Sequence, residues 1–216
     1  KMAPLLESEG DRALILDLRG LRSDSVHTAI LLADSLLESG PIGRVKTARG
    51  ETTYQADADA IFRGWPLAVL VDVETVGAAE WLAAALQDNH RAVVVGSPTM
   101  SAKINPGTGF VKSTIPVGDG RLSVSLATGS LERGDGRPLS LFDRPILSVI
   151  RLRNEALRAG VHPDHQVAET PSGRIVPGYP PPLQNSSSKP AGEPSTTPDP
   201  ALLKAVELLR ASLKKA

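Results

Sequence analysis

The 216 residues, 41% of them hydrophobic, suffice for one good-sized core with chain to spare. The 24 basic residues balance the 24 acidic ones, so overall charge gives no ground for a nucleic-acid or acidic-membrane partner, and the absence of cysteine excludes disulfides, thiolate metal sites and cysteine nucleophiles. No apolar run approaches the ~20 residues a bilayer-crossing helix needs, and Lys1 to Gly10 lack the apolar stretch of a signal peptide. A start at Lys1 is read as a processed product or a fragment with its upstream part missing.

In chain order, residues 13–18, 67–73 and 92–95 are short runs rich in Val, Ile and Leu and are expected to be buried strands. Between the first two, residues 25–39 place Val26, Ile30, Ala33 and Leu37 on one face and close on Gly40 and Pro41, which predicts a helix with its stop. Residues 78–88 carry Trp81, Leu82, Ala85 and Leu86 on one side and predict a second helix, entered from the preceding strand by a turn at 74–77. Strands alternating with helices indicate β-α-β units around a largely parallel sheet. The pattern then changes to two alternating strands, 110–116 and 121–127, joined at Gly118-Asp119-Gly120 as a hairpin.

Half of the 18 prolines fall between Pro171 and Pro200, beside the run Asn185-Ser186-Ser187-Ser188, so this stretch is expected to be a linker. Beyond it, residues 200–215 set Leu202, Ala205, Val206, Leu209 and Leu213 on one helical face, predicting an amphipathic helix that docks on the core. The expected division is thus a core at 1–167, a Pro/Ser-rich linker or long loop at 168–199 and a terminal helix at 200–216.

Several short motifs occur together and in order: Leu16-Asp17-Leu18-Arg19, Leu67-Ala68-Val69-Leu70-Val71-Asp72, Ala78-Ala79-Glu80, Ala84-Ala85-Leu86-Gln87-Asp88 and Arg91-Ala92-Val93-Val94-Val95-Gly96. Gly118-Asp119-Gly120, Gly160-Val161 with Pro163-Asp164, and Pro200-Ala201-Leu202 follow. In order and spacing this set resembles the catalytic core of the C-terminal processing (tail-specific) serine peptidases, with an insertion around residues 138–155. The resemblance implies an α/β fold, a crotonase/Clp-protease-like superhelix of short strands and helices, and no cofactor.

It also implies where chemistry would sit. In that family a serine on the turn before the helix attacks a peptide carbonyl, and a lysine about two dozen residues later, its pKa lowered by burial, takes the proton. Aligning Glu80 with the glutamate of the family's Ser-Ala-Ser-Ala-Ser-Glu puts the nucleophile position on Gly77. Aligning Val95-Gly96 through Thr99 with the family's Val-Gly and Thr-Phe-Gly-Lys-Gly puts the base on Ala102 and the glutamine that orients it on Pro106. The oxyanion loop Asn-Pro-Gly-Gly falls on Leu21-Arg22-Ser23-Asp24. None of these residues can do the corresponding chemistry. Lys103 lies one position from the expected base, and Thr75, Ser97 and Ser101 carry hydroxyls, but in an extended segment a one-residue shift turns the side chain to the opposite face.

The expectation is therefore a degenerate member of that family that binds peptides or acts as a scaffold, with Thr75, Val76, Gly77, Gly96, Ser97 and Ser101 along a peptide groove. The alternative is an active serine endopeptidase with a relocated Ser/Lys dyad. Expected partners are a polypeptide ligand or partner protein and an upstream peptide-binding module or oligomer, in an extracytoplasmic (periplasmic or secreted) setting. His162 and His165 have the spacing of a metal pair, but without a third ligand they are read as loop residues, not a metal site. Asp17 and Asp72 are expected to cap or hydrogen-bond strand ends, and Trp65 and Trp81 to belong to the core or a helix face.

Overall fold

The computed structural model describes residues 2–4, 12–57, 60–99, 110–117, 122–139, 160–167 and 199–214. Its elements in chain order are β1 Met2–Pro4, β2 Leu14–Asp17, β3 Arg22–Ser23, α1 Val26–Leu36, β4 Gly40–Thr47, β5 Gly50–Ala56, β6 Leu67–Val71, β7 Val76–Gly77, α2 Ala78–Asp88, β8 Val93–Gly96, β9 Phe110–Val117, β10 Leu122–Glu132, β11 His165–Gln166 and α3 Pro200–Leu213.

One sheet has the order β1-β2-β6-β8-β11, with β2, β6, β8 and β11 parallel and β1 antiparallel at the edge. Every residue of β6 is buried, as a central parallel strand covered on both faces requires. On one face Leu14, Leu16, Val69, Val71 and Val94 pack against α1 and α2, while on the other Ile15, Ala68, Leu70 and Val95 pack against Ala201, Ala205 and Leu209 of α3. The odd and even residues of each strand thus serve two different layers.

A second sheet, β5-β4-β10-β9, is antiparallel and lies against the same helical layer. The helix α2 lies between the two sheets, and all nine residues from Ala78 to Leu86 are buried. Its alanines permit close approach on every side, while Trp81 anchors it to the second sheet. The indole N–H donates to the Glu132 carbonyl at 2.8 Å, and the ring meets Tyr54 edge-on at 6.1 Å.

Three local differences from the sequence expectation have physical causes. The first helix runs Val26–Leu36, shorter than 25–39: Ser25 caps it by accepting from the Thr28 N–H, and Leu37 is already extended. Gly40 opens β4 instead of closing the helix. The β4–β5 hairpin has no counterpart in the hydrophobic pattern because its outward face is solvated, leaving only Ile42, Val45, Tyr54 and Ala56 to contact the core. The turn at 74–77 includes a two-residue strand, β7, paired in parallel with β3, a contact that local pattern cannot register. The predicted hairpin is present as β9 and β10, with Gly118-Asp119-Gly120 outside the described residues. Trp81 is in the core as expected, whereas Trp65 lies on the loop before β6, half-buried, 5.3 Å from Phe62 and under the Arg12 guanidinium at 5.5 Å.

Candidate active site and family

At the carboxyl end of β6 the chain turns sharply into α2, the place where an α/β sheet offers a ligand its open crevice. Asp72 organises the turn. Its carboxylate accepts from the Gly20 N–H at 3.0 and 3.1 Å and from the Glu74 N–H at 2.9 Å, as an acid at a strand end does. The fully buried Thr75 hydroxyl accepts from the Asp72 N–H at 3.0 Å and lies 3.0 Å from the Leu18 carbonyl and 3.1 Å from Asp72 Oδ1. Asp17 in turn holds Arg19 through Nε at 2.9 Å and Nη2 at 3.0 Å. Hydrogen bonding to Asp17, only partly opposed by burial, raises the Arg19 pKa above the ordinary guanidinium value, with Asp199 adding to the effect.

These bonds press residues 18–23 against 72–77. Val76 donates its N–H to the Leu21 carbonyl at 3.1 Å, Arg22 forms an ion pair with Glu74, and Ser23 stands in register with Gly77. Gly77 has φ +71° and caps α2 without a side-chain hydrogen bond. A Cβ built there would run into the Ser23 carbonyl oxygen, so this position admits only glycine, both for its left-handed backbone and for lack of room. The segment around Ser23 thus lies directly on Gly77.

On the neighbouring strand, at the end of β8, Gly96 has φ +136° and a Cβ would overlap the Val71 carbonyl oxygen. Ser97 N–H donates to that carbonyl at 3.2 Å, while its own hydroxyl, on a residue 7% exposed, has no hydrogen-bond partner among the described residues. Two residues on, the Thr99 hydroxyl donates to the fully buried Glu80 carboxylate and accepts from the Val161 N–H at 3.0 Å. Glu80 thereby ties α2 to the start of the loop after β8 and to the closing segment. Sequence reading used Glu80 only to set the alignment. An acid in the midst of an otherwise apolar helix is the sequence signal that could have found this role.

Of the sequence-predicted groove residues, Thr75, Val76 and Gly77 lie on the turn between β6 and α2 and Gly96 and Ser97 at the end of the neighbouring β8, with Thr75, Gly77, Gly96 and Ser97 buried and Val76 half-buried. Ser101, Ala102, Lys103 and Pro106 lie outside the described residues. The two histidines are not brought together: His162 lies at the C-terminal end of α2, whereas His165 stands beside the end of β8. The His162 carbonyl accepts from Gln87 at 2.8 Å, and His165 belongs to β11, paired with Val95. Near His162 lies a polar cavity of about 390 Å³. Its buried Arg133 is held by Asp88 at 2.7 and 2.8 Å, by Gln87 at 3.0 Å and by the Gly160 carbonyl at 2.8 Å, so the charges there serve one another. Among the described residues no three His, Cys, Asp or Glu side chains are arranged to hold a metal.

Comparison with known proteins follows the same map. The family model described as Peptidase family S41 matches residues 2–140. The carboxyl-terminal-processing peptidase 2 of Arabidopsis thaliana, chloroplastic, is 38% identical over 125 residues, covering 56% of this chain and 23% of that protein. The carboxyl-terminal-processing protease of Synechocystis sp. is 34% identical over 116 residues, covering 53% of this chain and 26% of that protein. The chain spans about a quarter of the length of these relatives. Among solved structures, the photosystem II D1 C-terminal processing protease superposes with a TM-score of 0.54 at 24% identity, over 71% of this chain and 34% of that one, which supports the fold. The fold is the α/β, Clp-protease-like one that the resemblance implied. With the family model covering well over half of the sequence, the chain belongs to peptidase family S41, the family of the carboxyl-terminal-processing proteases.

Proposed function

We propose that this chain is a tail-specific-peptidase-like domain that has lost proteolytic activity and acts by binding or scaffolding extended polypeptides. The observation that carries this is Gly77: the residue aligned with the nucleophile has no side chain, a left-handed backbone, and the Ser23 carbonyl oxygen where a side chain would begin. Loss of a nucleophile can cost on the order of 10⁶ in turnover, which a displaced hydroxyl does not restore. The ligand expected is an unfolded or C-terminal stretch of polypeptide, given the relatives' processing of carboxyl termini, bound through main-chain hydrogen bonds along a sheet edge. The setting proposed is extracytoplasmic, with an upstream peptide-binding module or an oligomer supplying further contacts. The proposed division, core at 1–167, linker at 168–199 and helix at 200–216, predicts that limited proteolysis cuts first within the linker.

The test is incubation with denatured casein, followed by mass spectrometry for fragments and by co-sedimentation for retention. Retention without cleavage is expected, in the wild type and in Lys103→Ala alike. Fragments that disappear in Lys103→Ala would instead establish an active endopeptidase with a relocated dyad.

A further inference from the structure

The second sheet ends on β5, and the way β5 is built sets it apart from the other described edges. The strands β1 and β11 have three and two residues, and β1 ends on Pro4. At the opposite end of the second sheet β9 carries Lys112 and Pro116. Short length, lysine and proline are the usual devices that stop a sheet from adding another strand. In contrast, β5 runs seven residues, Gly-Glu-Thr-Thr-Tyr-Gln-Ala, with no proline or lysine and Glu51 as its one charge. Residues 50–53 and 55 are exposed.

The hairpin also determines which backbone groups remain open. A two-residue turn, Ala48 and Arg49, joins Thr47 to Gly50, so that pair exchanges hydrogen bonds, as does Val45 with Thr52 two residues on. The intervening residues, Glu51, Thr53 and Gln55, direct their N–H and C=O groups away from β4. Their side chains lie on the solvent face with Arg44, whose guanidinium holds Glu51 at 3.0 Å, while Tyr54 faces inward onto Trp81.

We propose that this edge pairs antiparallel with the β5 of a second copy of the chain, about a two-fold axis at Thr53. In that register Thr53 faces Thr53, Glu51 faces Gln55, and Thr52 faces Tyr54. The outward backbone groups of 51, 53 and 55 meet those of 55, 53 and 51, forming about six main-chain hydrogen bonds. No like charges come together. The two Arg44 side chains end three strand spacings apart, about 14 Å, and the two Glu51 side chains four residues apart along the ribbon, also about 14 Å, beyond the Debye length at physiological salt. The contact is small, so the dimer is weak and concentration-dependent. It does not depend on whether the α2 turn is catalytic.

Sedimentation velocity of the 216-residue chain over about a hundredfold range of concentration tests it. A dimer that grows with concentration is expected. Thr53→Pro removes a donor that points to solvent, which an edge strand tolerates, and should weaken the dimer about tenfold or more. Gln55→Lys sets an ammonium opposite Glu51 of the second copy and should strengthen it in a salt-dependent way. If circular dichroism shows that Thr53→Pro disturbs the fold, Thr53→Lys, which brings two ammonium groups together on the axis, replaces it. A monomer at every concentration, or a dimer indifferent to these substitutions, overturns the proposal, as does an edge that captures casein while the chain stays monomeric.

Discussion

At Gly77 the backbone and its surroundings leave no room for a side chain. The residue combines a positive φ with a carbonyl oxygen in the place of a Cβ, so Gly77→Ser restores a hydroxyl only at the cost of backbone strain and displacement of Ser23. This variant should lose about 2 kcal/mol or more of stability in urea unfolding, and should gain no casein cleavage. That no side chain fits at Gly77 was not legible in the sequence, because Ser23 is 54 residues away and meets it through the β3–β7 pair. Arg91 makes the opposite case. Its guanidinium donates to the carbonyls of Leu36 at 2.7 Å, Phe62 at 2.7 Å and Trp65 at 2.9 Å, closing the helix α1 and the loop before β6 onto β8. Burial lowers its pKa from the ordinary guanidinium value, with Glu38 opposing this. Removing it leaves three carbonyls without that donor, so Arg91→Met should cost about 3 kcal/mol in chemical denaturation.

At the scale of elements, α2 is where the fold concentrates its packing. Its small residues let it lie between two sheets, and its one indole fixes its register against β10. Trp81→Phe replaces the indole by a smaller ring and abandons the hydrogen bond to the Glu132 carbonyl, and should destabilise the protein by about 1–3 kcal/mol, read as a lower melting temperature with an unchanged far-ultraviolet spectrum. The alanine-rich pattern 78–88 identified this helix to the residue because its apolar content is continuous and its ends are marked by Gly77 and Asn89. The β4–β5 hairpin escaped notice for the converse reason: a strand with one solvated face and few apolar residues leaves no period to detect.

For the whole molecule, α3 is the last element in the chain and yet completes its first sheet. Ala201, Ala205 and Leu209 cover Ile15, Ala68, Leu70 and Val95, and the helix start is pinned by Asp199, which caps the Ala201 N–H at 3.0 Å and pairs with Arg19 at 2.5 Å. Arg19 adjoins the loop that lies on Gly77, so docking of the helix and the shape of the crevice share a residue. Removing residues 199–216 should expose this sheet face, increase binding of a hydrophobic dye and lower the melting temperature by several degrees.

The amphipathic pattern at 200–215 determined that a helix would dock, the apolar runs that a parallel sheet would form, and the ordered motifs which family the chain belongs to. These are local or additive properties: periodicity, composition and spacing are read without knowing what touches what. Tertiary structure alone decided that α3 covers the face of the sheet opposite α1 and α2, that Glu80 and Thr99 join the helix to the loop after β8, and that the segment 21–24 closes over Gly77. Each depends on groups far apart in sequence brought within hydrogen-bonding distance, and no local pattern encodes such a meeting.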